Sequence, residues 1–292
     1  MKIHTECVPC LLKRIIFEIE QSTKDKEIKN RAIRNACRVL SEQFDLDVCS
    51  ATIATNVHKI VYETLGDDDP YKDLKKQSNK VAKSLVPKVE EFIDCSDDPI
   101  RISTICSIVG NMMDFGIDGA SKHPDFLAEA FEDIFVEDLG YDDTDEFKKI
   151  LSESKNIVLF TDNCGEIVFD KILCRELRKF NPDIFLTVVV KGKPIISDAT
   201  KEDIKDLDFE EFTDKILDTG CFAIGLDFDK IPMALKNSID QADLIICKGM
   251  ANYEAFSETD YRPIVYLLRT KCTAIASSMK LPLNISAVKI YL

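Results

Sequence analysis

Residues 151–292 read as an α/β domain with a doubly wound, mainly parallel sheet, and residues 1–150 as an α-helical N-terminal domain in front of it. Three observations carry this reading. Up to about residue 136 apolar positions recur at helical spacing. After about residue 154 short β-branched runs alternate with helical patterns. Those runs are apolar along their whole length, as strands covered by helices on both faces must be.

In chain order, the segment 70–93 places Leu74, Val81, Leu85, Val89 and Ile93 on one stripe, and Pro87 within it predicts a kink or a break. Asp98-Pro99 opens a further helix through Met113, because proline suits the first helical position. Ile102, Ile105, Val109 and Met113 form its expected stripe. The acidic stretch 142–146 is the expected join between the domains. Strands are predicted at 157–160, 184–190, 222–226, 244–247, 264–268 and 288–291, with Thr200 as an N-cap of the helix that follows the second of them.

The 292 residues are 45% hydrophobic and 31% charged, which excludes a mainly disordered chain. A formal charge of -14 repels phosphate backbones and anionic lipid surfaces, so neither nucleic acid nor a membrane is an expected partner. A small anionic substrate is still admissible, since a bound cation and a few lysines can reverse the potential inside one cleft. No signal peptide or membrane span is apparent, and a cytoplasmic location is expected. Eleven cysteines are too sparse for a disulfide scaffold in a chain of this length.

In an open parallel sheet ligands bind at the carboxyl ends of the strands. The first predicted strand ends in Thr161-Asp162-Asn163-Cys164-Gly165-Glu166. The second ends in Lys191-Gly192-Lys193-Pro194 and reaches Asp198. The fourth ends in Lys248-Gly249, with Asn252 and Tyr253 close behind. Asp162, Asn163 and Asp198 offer only oxygen ligands, a set suited to a hard cation such as Mg²⁺ or Mn²⁺. Lys248 adds positive charge to clamp a phosphoryl group, and Glu166 at a helix start can orient a water or interact with the helix dipole. Each of these residues taken singly also fits a turn, a cap or a solvated surface; agreement of three loops at one sheet edge favours chemistry. GxGxxG, GxxxxGK[ST] and G-x-S-x-G are all missing, and the place two after Asp162 is Cys164, not the second Asp of an aspartyl-nucleophile phosphatase.

These segments resemble the DUF89 family, the metal-dependent damage-control phosphatases that include the ARMT1-like proteins. The resemblance rests on Asp162-Asn163-Cys164-Gly165-Glu166, on Lys191-Gly192-Lys193-Pro194 with Ser197-Asp198-Ala199-Thr200, and on Lys248-Gly249-Met250-Ala251-Asn252-Tyr253-Glu254. Asp69-Pro70-Tyr71, the stretch from Gly110 to Gly116 and Cys7-Val8-Pro9-Cys10 extend it over nearly the whole chain. It implies a phosphatase of small phosphorylated metabolites, with a divalent cation (Mg²⁺, Mn²⁺, Co²⁺ or Ni²⁺) held by Asp162, Asn163 and Asp198. It further implies that Asp162, Lys248 and Glu166 carry the chemistry through a metal-activated water, and that Lys248, Asn252, Asn111 and Asp114 face the substrate. The cysteine pair places the chain in the compact prokaryotic and archaeal branch.

Two readings compete with this one. An S-adenosylmethionine-dependent carboxylate methyltransferase would want a glycine-rich loop after the first strand, where none stands. A non-catalytic metal or redox protein would use Cys7 and Cys10, which with His4 recur every three residues, but a structural zinc needs a fourth ligand. Two small buried thiols beside Pro9 explain the pair equally well. The pair lies far along the chain from the sheet-edge loops and is expected to be separate from catalysis. Cys164, beside the metal-ligand candidates, is read as a packing residue.

Overall fold

The computed structural model describes residues 1–110 and 138–292. Asn111 and Asp114, the end of the helix expected to reach Met113 and the close of the helical pattern near residue 136 lie outside the described residues.

Five helices open the chain: α1 (Cys7–Ser22), α2 (Lys26–Gln43), α3 (Ser50–Leu65), α4 (Lys72–Asp94) and α5 (Pro99–Gly110). Asp25 caps α2 by accepting from the backbone N–H groups of Glu27 and Ile28, and Gly66 ends α3 in the left-handed conformation that a side chain disfavours. Of the kink or break predicted at Pro87, the break does not occur: α4 is one continuous helix through it. Helix α5 begins at Pro99 as expected, yet every residue from Ser103 to Gly110 is buried, so a single apolar stripe understates it. It is enclosed on all sides, and its Ser103, Thr104 and Ser107 go inside with the hydrocarbon.

The second part adds β1 (Tyr141–Asp142), α6 (Thr144–Glu153), β2 (Asn156–Phe160), α7 (Glu166–Phe180), β3 (Phe185–Val190), α8 (Lys201–Ile204) and β4 (Lys215–Asp218). It continues with α9 (Met233–Asp240), β5 (Leu244–Lys248), α10 (Gly249–Phe256), β6 (Ile264–Arg269), α11 (Thr273–Met279) and β7 (Ser286–Tyr291). The strands form one sheet in the order β1-β7-β6-β5-β2-β3-β4, parallel except for the β6–β7 pair. Five of the six predicted strands are present. The run 222–226 is not a strand: Gly225 takes φ 61°, and Ala223, Ile224 and Leu226 are apolar because they bury into the protein from a loop. The strand of that region is β4, whose residues are half-buried at the sheet edge and so lack an apolar signature. Strand β1 lies in the acidic stretch expected to be the join and pairs with β7.

Alternation along the strands explains the layers. In β2, Ile157 and Leu159 turn to one face and Val158 and Phe160 to the other. The first face packs on α7 and on the N-terminal helices in one continuous core that runs from Ile3 to Val288. The second face packs on α9, α10 and α11 through Leu235, Phe256 and Ile275. The helical region is therefore a layer against the sheet, placed where it can touch the ends of its strands. Among the described residues no helix is long and apolar enough to cross a membrane.

Candidate active site

From β2 the chain winds outward through β3 to β4 on one side, then returns to place β5 on the other side of β2. The loops leaving β2 and β5 thus diverge over a crevice at the carboxyl edge, which is where open α/β sheets bind ligands. Phe160 pairs with Cys247, and one residue beyond each partner come Thr161 and Lys248.

The loop after β3 folds back onto the loop after β2. Asn163 bridges to Asp198, the Cys164 amide donates to the Ser197 carbonyl at 2.8 Å, and the Ala199 amide donates to the Asp162 carbonyl at 2.8 Å. Thr200 then caps α8 as expected, in a capping box with Asp203. These bonds bring Asp162, Asn163 and Asp198 together, all of them buried. The Asn163 amide donates to Asp162 Oδ2 at 2.8 Å and to Glu166 Oε2 at 3.2 Å, and its Oδ1 accepts from Ser197 Oγ at 2.6 Å. Lys191, at the end of β3, approaches Asp198 to 3.3 Å and donates to the Gly225 carbonyl at 2.5 Å.

Lys248 ends β5 and is fully enclosed. Its ammonium donates to Glu166 Oε1, to Asp170 Oδ1 at 2.7 Å and to the Ser107 carbonyl at 3.1 Å. Burial pulls its pKa down, but the charges of Asp170 and Glu166 outweigh burial and leave it above the ordinary lysine value. Asp170 accepts a second bond from Ser107 Oγ at 2.6 Å, while its Oδ2 is buried without a hydrogen-bond partner. Burial, reinforced by Glu166, raises the Asp170 carboxyl to about 6 against the pull of Lys248.

Two glycines permit this packing. Gly249 takes φ +70°, and a Cβ there would stand 1.8 Å from Asp162 Oδ2, so the carboxylate rests directly on the backbone that opens α10. At Gly110 a Cβ would meet Glu166 Cα at 2.7 Å, which is how α5 comes close enough to supply Ser107. The N-terminal helices brace the loops elsewhere. Asn79 of α4 accepts from the Gly165 amide at 2.6 Å, Tyr62 of α3 accepts from the Ile196 amide at 3.0 Å, and Thr55 of α3 accepts from the Ile224 amide at 2.9 Å.

Asn252, on α10, spends both amide hydrogens on the carbonyls of Thr161 (3.0 Å) and Lys248 (2.8 Å), tying the two diverging loops together. Its Oδ1 is a buried acceptor with no hydrogen-bond partner, which suits a cation or a water better than a phosphate oxygen. Cys164 is enclosed in the apolar core, where burial holds its thiol far above the ordinary pKa, as a packing residue requires.

The donor set fits a hard divalent cation. Among the described residues, the four buried carboxyl groups of Asp162, Glu166, Asp170 and Asp198 lie with the ammonium groups of Lys191 and Lys248, and the acceptors without a hydrogen-bond partner there include Asp170 Oδ2 and Asn252 Oδ1. Among the described residues no three His, Cys, Asp or Glu side chains converge as a metal cage, so two carboxylates and an amide leave most of the coordination sphere to water and substrate. A cavity of about 660 Å³ opens on Asp162 and Asn163, and its other walls include Cys7, Cys10 and His58. The cysteine pair, expected to stand apart from the sheet-edge loops, shares their cavity because α1 lies across the carboxyl edge.

Sequence reasoning missed Asp170 and Ser107, and named Lys191 and Ser197 in motifs without giving them a role. Asp170 carried a signal: with Glu166 it makes two carboxylates four residues apart on a helix whose same face is otherwise apolar.

Comparisons with known proteins agree with this geometry. Residues 3–284 match the damage-control phosphatase ARMT1-like domain family. A damage-control phosphatase of Archaeoglobus fulgidus is 37% identical over 94% of this chain and 94% of its own. A damage-control phosphatase of Pyrococcus horikoshii is 30% identical over 97% of this chain and 96% of its own. The crystal structure of a DUF89 family protein from Pyrococcus horikoshii superposes with a TM-score of 0.88 at 29% identity, covering 99% of each chain.

Proposed function

The chain belongs to the damage-control phosphatase ARMT1-like (DUF89) family and is a phosphatase acting on damaged metabolites, and from that premise we propose which of its residues do the work. The family is generally dependent on a divalent metal. Asp162, Asn163 and Asp198 would hold the cation, Mg²⁺ or Mn²⁺. When bound, the cation supplies the positive charge that polarises a phosphoryl group and makes water a better nucleophile.

The remaining roles fall to the buried cluster. Glu166, held between Asn163 and Lys248, orients the attacking water and accepts its proton. Lys248 gives up one of its three bonds to meet a phosphoryl oxygen, and Asp170 retains the ammonium meanwhile so that the charge is never stranded. Stabilising charge as it develops in the transition state is the step at which such a fixed cation contributes most. Asn111 and Asp114 remain proposed substrate contacts on the strength of the family resemblance alone. Substrates are small phosphorylated metabolites, and location in the cytoplasm is part of the same proposal.

One observation carries this reading: a fully buried cluster of one lysine and two carboxylates meets an all-oxygen donor set at the switch point of the sheet, and Asp162 and Asn163 of that set line a cavity. The methyltransferase reading finds no support, since the turn after β2 is filled by Asp162, Asn163 and Cys164 with Gly165 its one glycine. The decisive experiment follows phosphate release from a panel of phosphomonoesters by purified protein, before EDTA, after EDTA, and after Mn²⁺ is restored. Release that stops with EDTA and returns with Mn²⁺ is expected; undiminished release in EDTA would refute the metal assignment.

A further inference from the structure

The cavity beside Asp162 and Asn163 is built for more than a phosphate group. Its volume of about 660 Å³ falls within the roughly 300–1,000 Å³ of pockets that enclose drug-sized organic molecules. Much of its wall beyond Asp162 and Asn163 is hydrocarbon: Leu12 and Ile16 from α1, Ile224 from the loop after β4, Met250 from α10 and Ala274 from α11. Ile16 is 49% exposed, an apolar side chain left at the surface where the cavity meets solvent.

Three thiols complete that wall: Cys7 and Cys10 from α1, and Cys272 just before α11. All three are free. Burial raises Cys7, and burial pushes Cys272 up to about 12, so Cys7 and Cys272 are neutral thiols and not reactive thiolates. A protonated cysteine behaves as a small, polarisable hydrophobe. Cys7 is half-buried and Cys10 exposed, so the expectation of two buried thiols is not met. Charged side chains also line the cavity, with Lys13, Arg14 and Lys271 set against Glu6, Asp162 and Glu254.

A sugar placed against the hydrocarbon part of this wall would leave hydroxyl groups unpaired there, and each unpaired hydroxyl would weaken binding. An apolar body would lose nothing on entering and would gain the burial of its surface. We infer that this phosphatase selects phosphomonoesters of apolar, ring-sized alcohols, with the phosphate at Asp162 and Asn163 and the organic part against the α1–α11 wall. The inference rests on the phosphatase reading above and extends it to the chemistry of the leaving group.

The test compares three primary alkyl esters of similar intrinsic reactivity: 2-(1-naphthyl)ethyl phosphate, ethyl phosphate and glucose 6-phosphate, each with Mn²⁺. The naphthylethyl ester is expected to show kcat/KM at least tenfold above the other two. The double variant Leu12→Asn/Ile16→Asp, with folding checked by circular dichroism, should erode that advantage by tenfold or more, mostly in KM. A preference for glucose 6-phosphate, or an advantage untouched by the wall substitutions, would overturn the inference while leaving the phosphatase intact. Calorimetric titration with 2-(1-naphthyl)ethylphosphonate against ethylphosphonate reads the wall without turnover. If no ester is hydrolysed, the phosphatase reading fails, and the titration alone decides: tighter binding of the naphthyl compound supports the apolar wall and equal binding refutes it.

Discussion

Two buried lysines, each clamped by two carboxylates, flank the loop that leaves β2, and they differ in what surrounds them. Lys75 of α4 reaches Asp69 at 2.9 Å and Asp203 at 3.0 Å, and those carboxylates keep 18% and 13% of their side-chain surface in solvent. Lys248 reaches Glu166 and Asp170, and there all three side chains are sealed. The first cluster lies behind Cys164 and holds the N-terminal helices to the loop after β3. The second lies at the crevice, one hydrogen-bonded step from Asn163. A carboxylate that touches water can shed the cost of its charge locally, so the Lys75 cluster is a brace. A sealed set keeps its charge imbalance until something enters, which is the condition for doing chemistry.

That contrast can be broken or sharpened by substitution. The largest effect is expected at the oxygen set shared with the sealed cluster: Asp162→Ala should lose both phosphatase activity and stoichiometric Mn²⁺, seen by phosphate release and by equilibrium dialysis on folded protein. Full activity in that variant would sink the site assignment. Next comes Lys248→Ala, for which turnover should drop about 100-fold or more while Mn²⁺ stays bound, as removal of one strong electrostatic contact in the transition state predicts. Unchanged kcat would reduce Lys248 to a brace like Lys75.

Lys75→Met should do the reverse. Breaking a buried ion pair by removing one partner typically costs about 3–5 kcal/mol, a figure to be discounted here for the solvent reaching Asp69 and Asp203. Urea unfolding should report a clear loss of stability with kcat within a few-fold of the parent. If turnover instead fell as far as in the Lys248 variant, the distinction between the two clusters would be empty.

The smallest effect concerns pH. The Asp170 carboxyl titrates near 6 in the folded protein against about 3.9 in an unfolded chain. Between those values the folded state holds the extra proton, so this group's contribution to stability is fully present below about pH 3.9 and is lost as pH rises through 6. Asp170→Asn removes the titration. The difference in unfolding free energy between parent and variant should therefore change over pH 4–6 and level off above it, and a difference flat across that window would refute the raised carboxyl.

Much of this arrangement was legible in the sequence because strand ends carry local signals. Asp162, Asn163, Asp198 and Lys248 follow apolar runs, and the parallel topology then obliges them to share an edge. Other parts depended on neighbours distant along the chain. Residues 222–226 look like a strand because the pattern of apolar residues is the same for a buried loop, and β4 hides because an edge strand buries little. The Cys7/Cys10 pair seemed remote from the site only along the chain; α1 docks across the carboxyl edge through contacts that no local pattern encodes. Asp170 lies a full turn into α7, away from the strand-end loops, and the closeness of α5, allowed at Gly110, shows it as part of the site.

The hydrogen atom that Gly249 carries where other residues carry a side chain has a consequence beyond packing. Its position fixes how far Asp162 stands from the mouth of α10, since a Cβ there would lie inside the carboxylate. The distance is thus set by the main chain and not by a rotamer choice. A single methyl, as in Gly249→Ala, would act as a wedge that moves the acid without altering any charge in the cluster. That separates two things usually lost together in mutagenesis of an acidic site, the presence of the carboxylate and the place from which it acts.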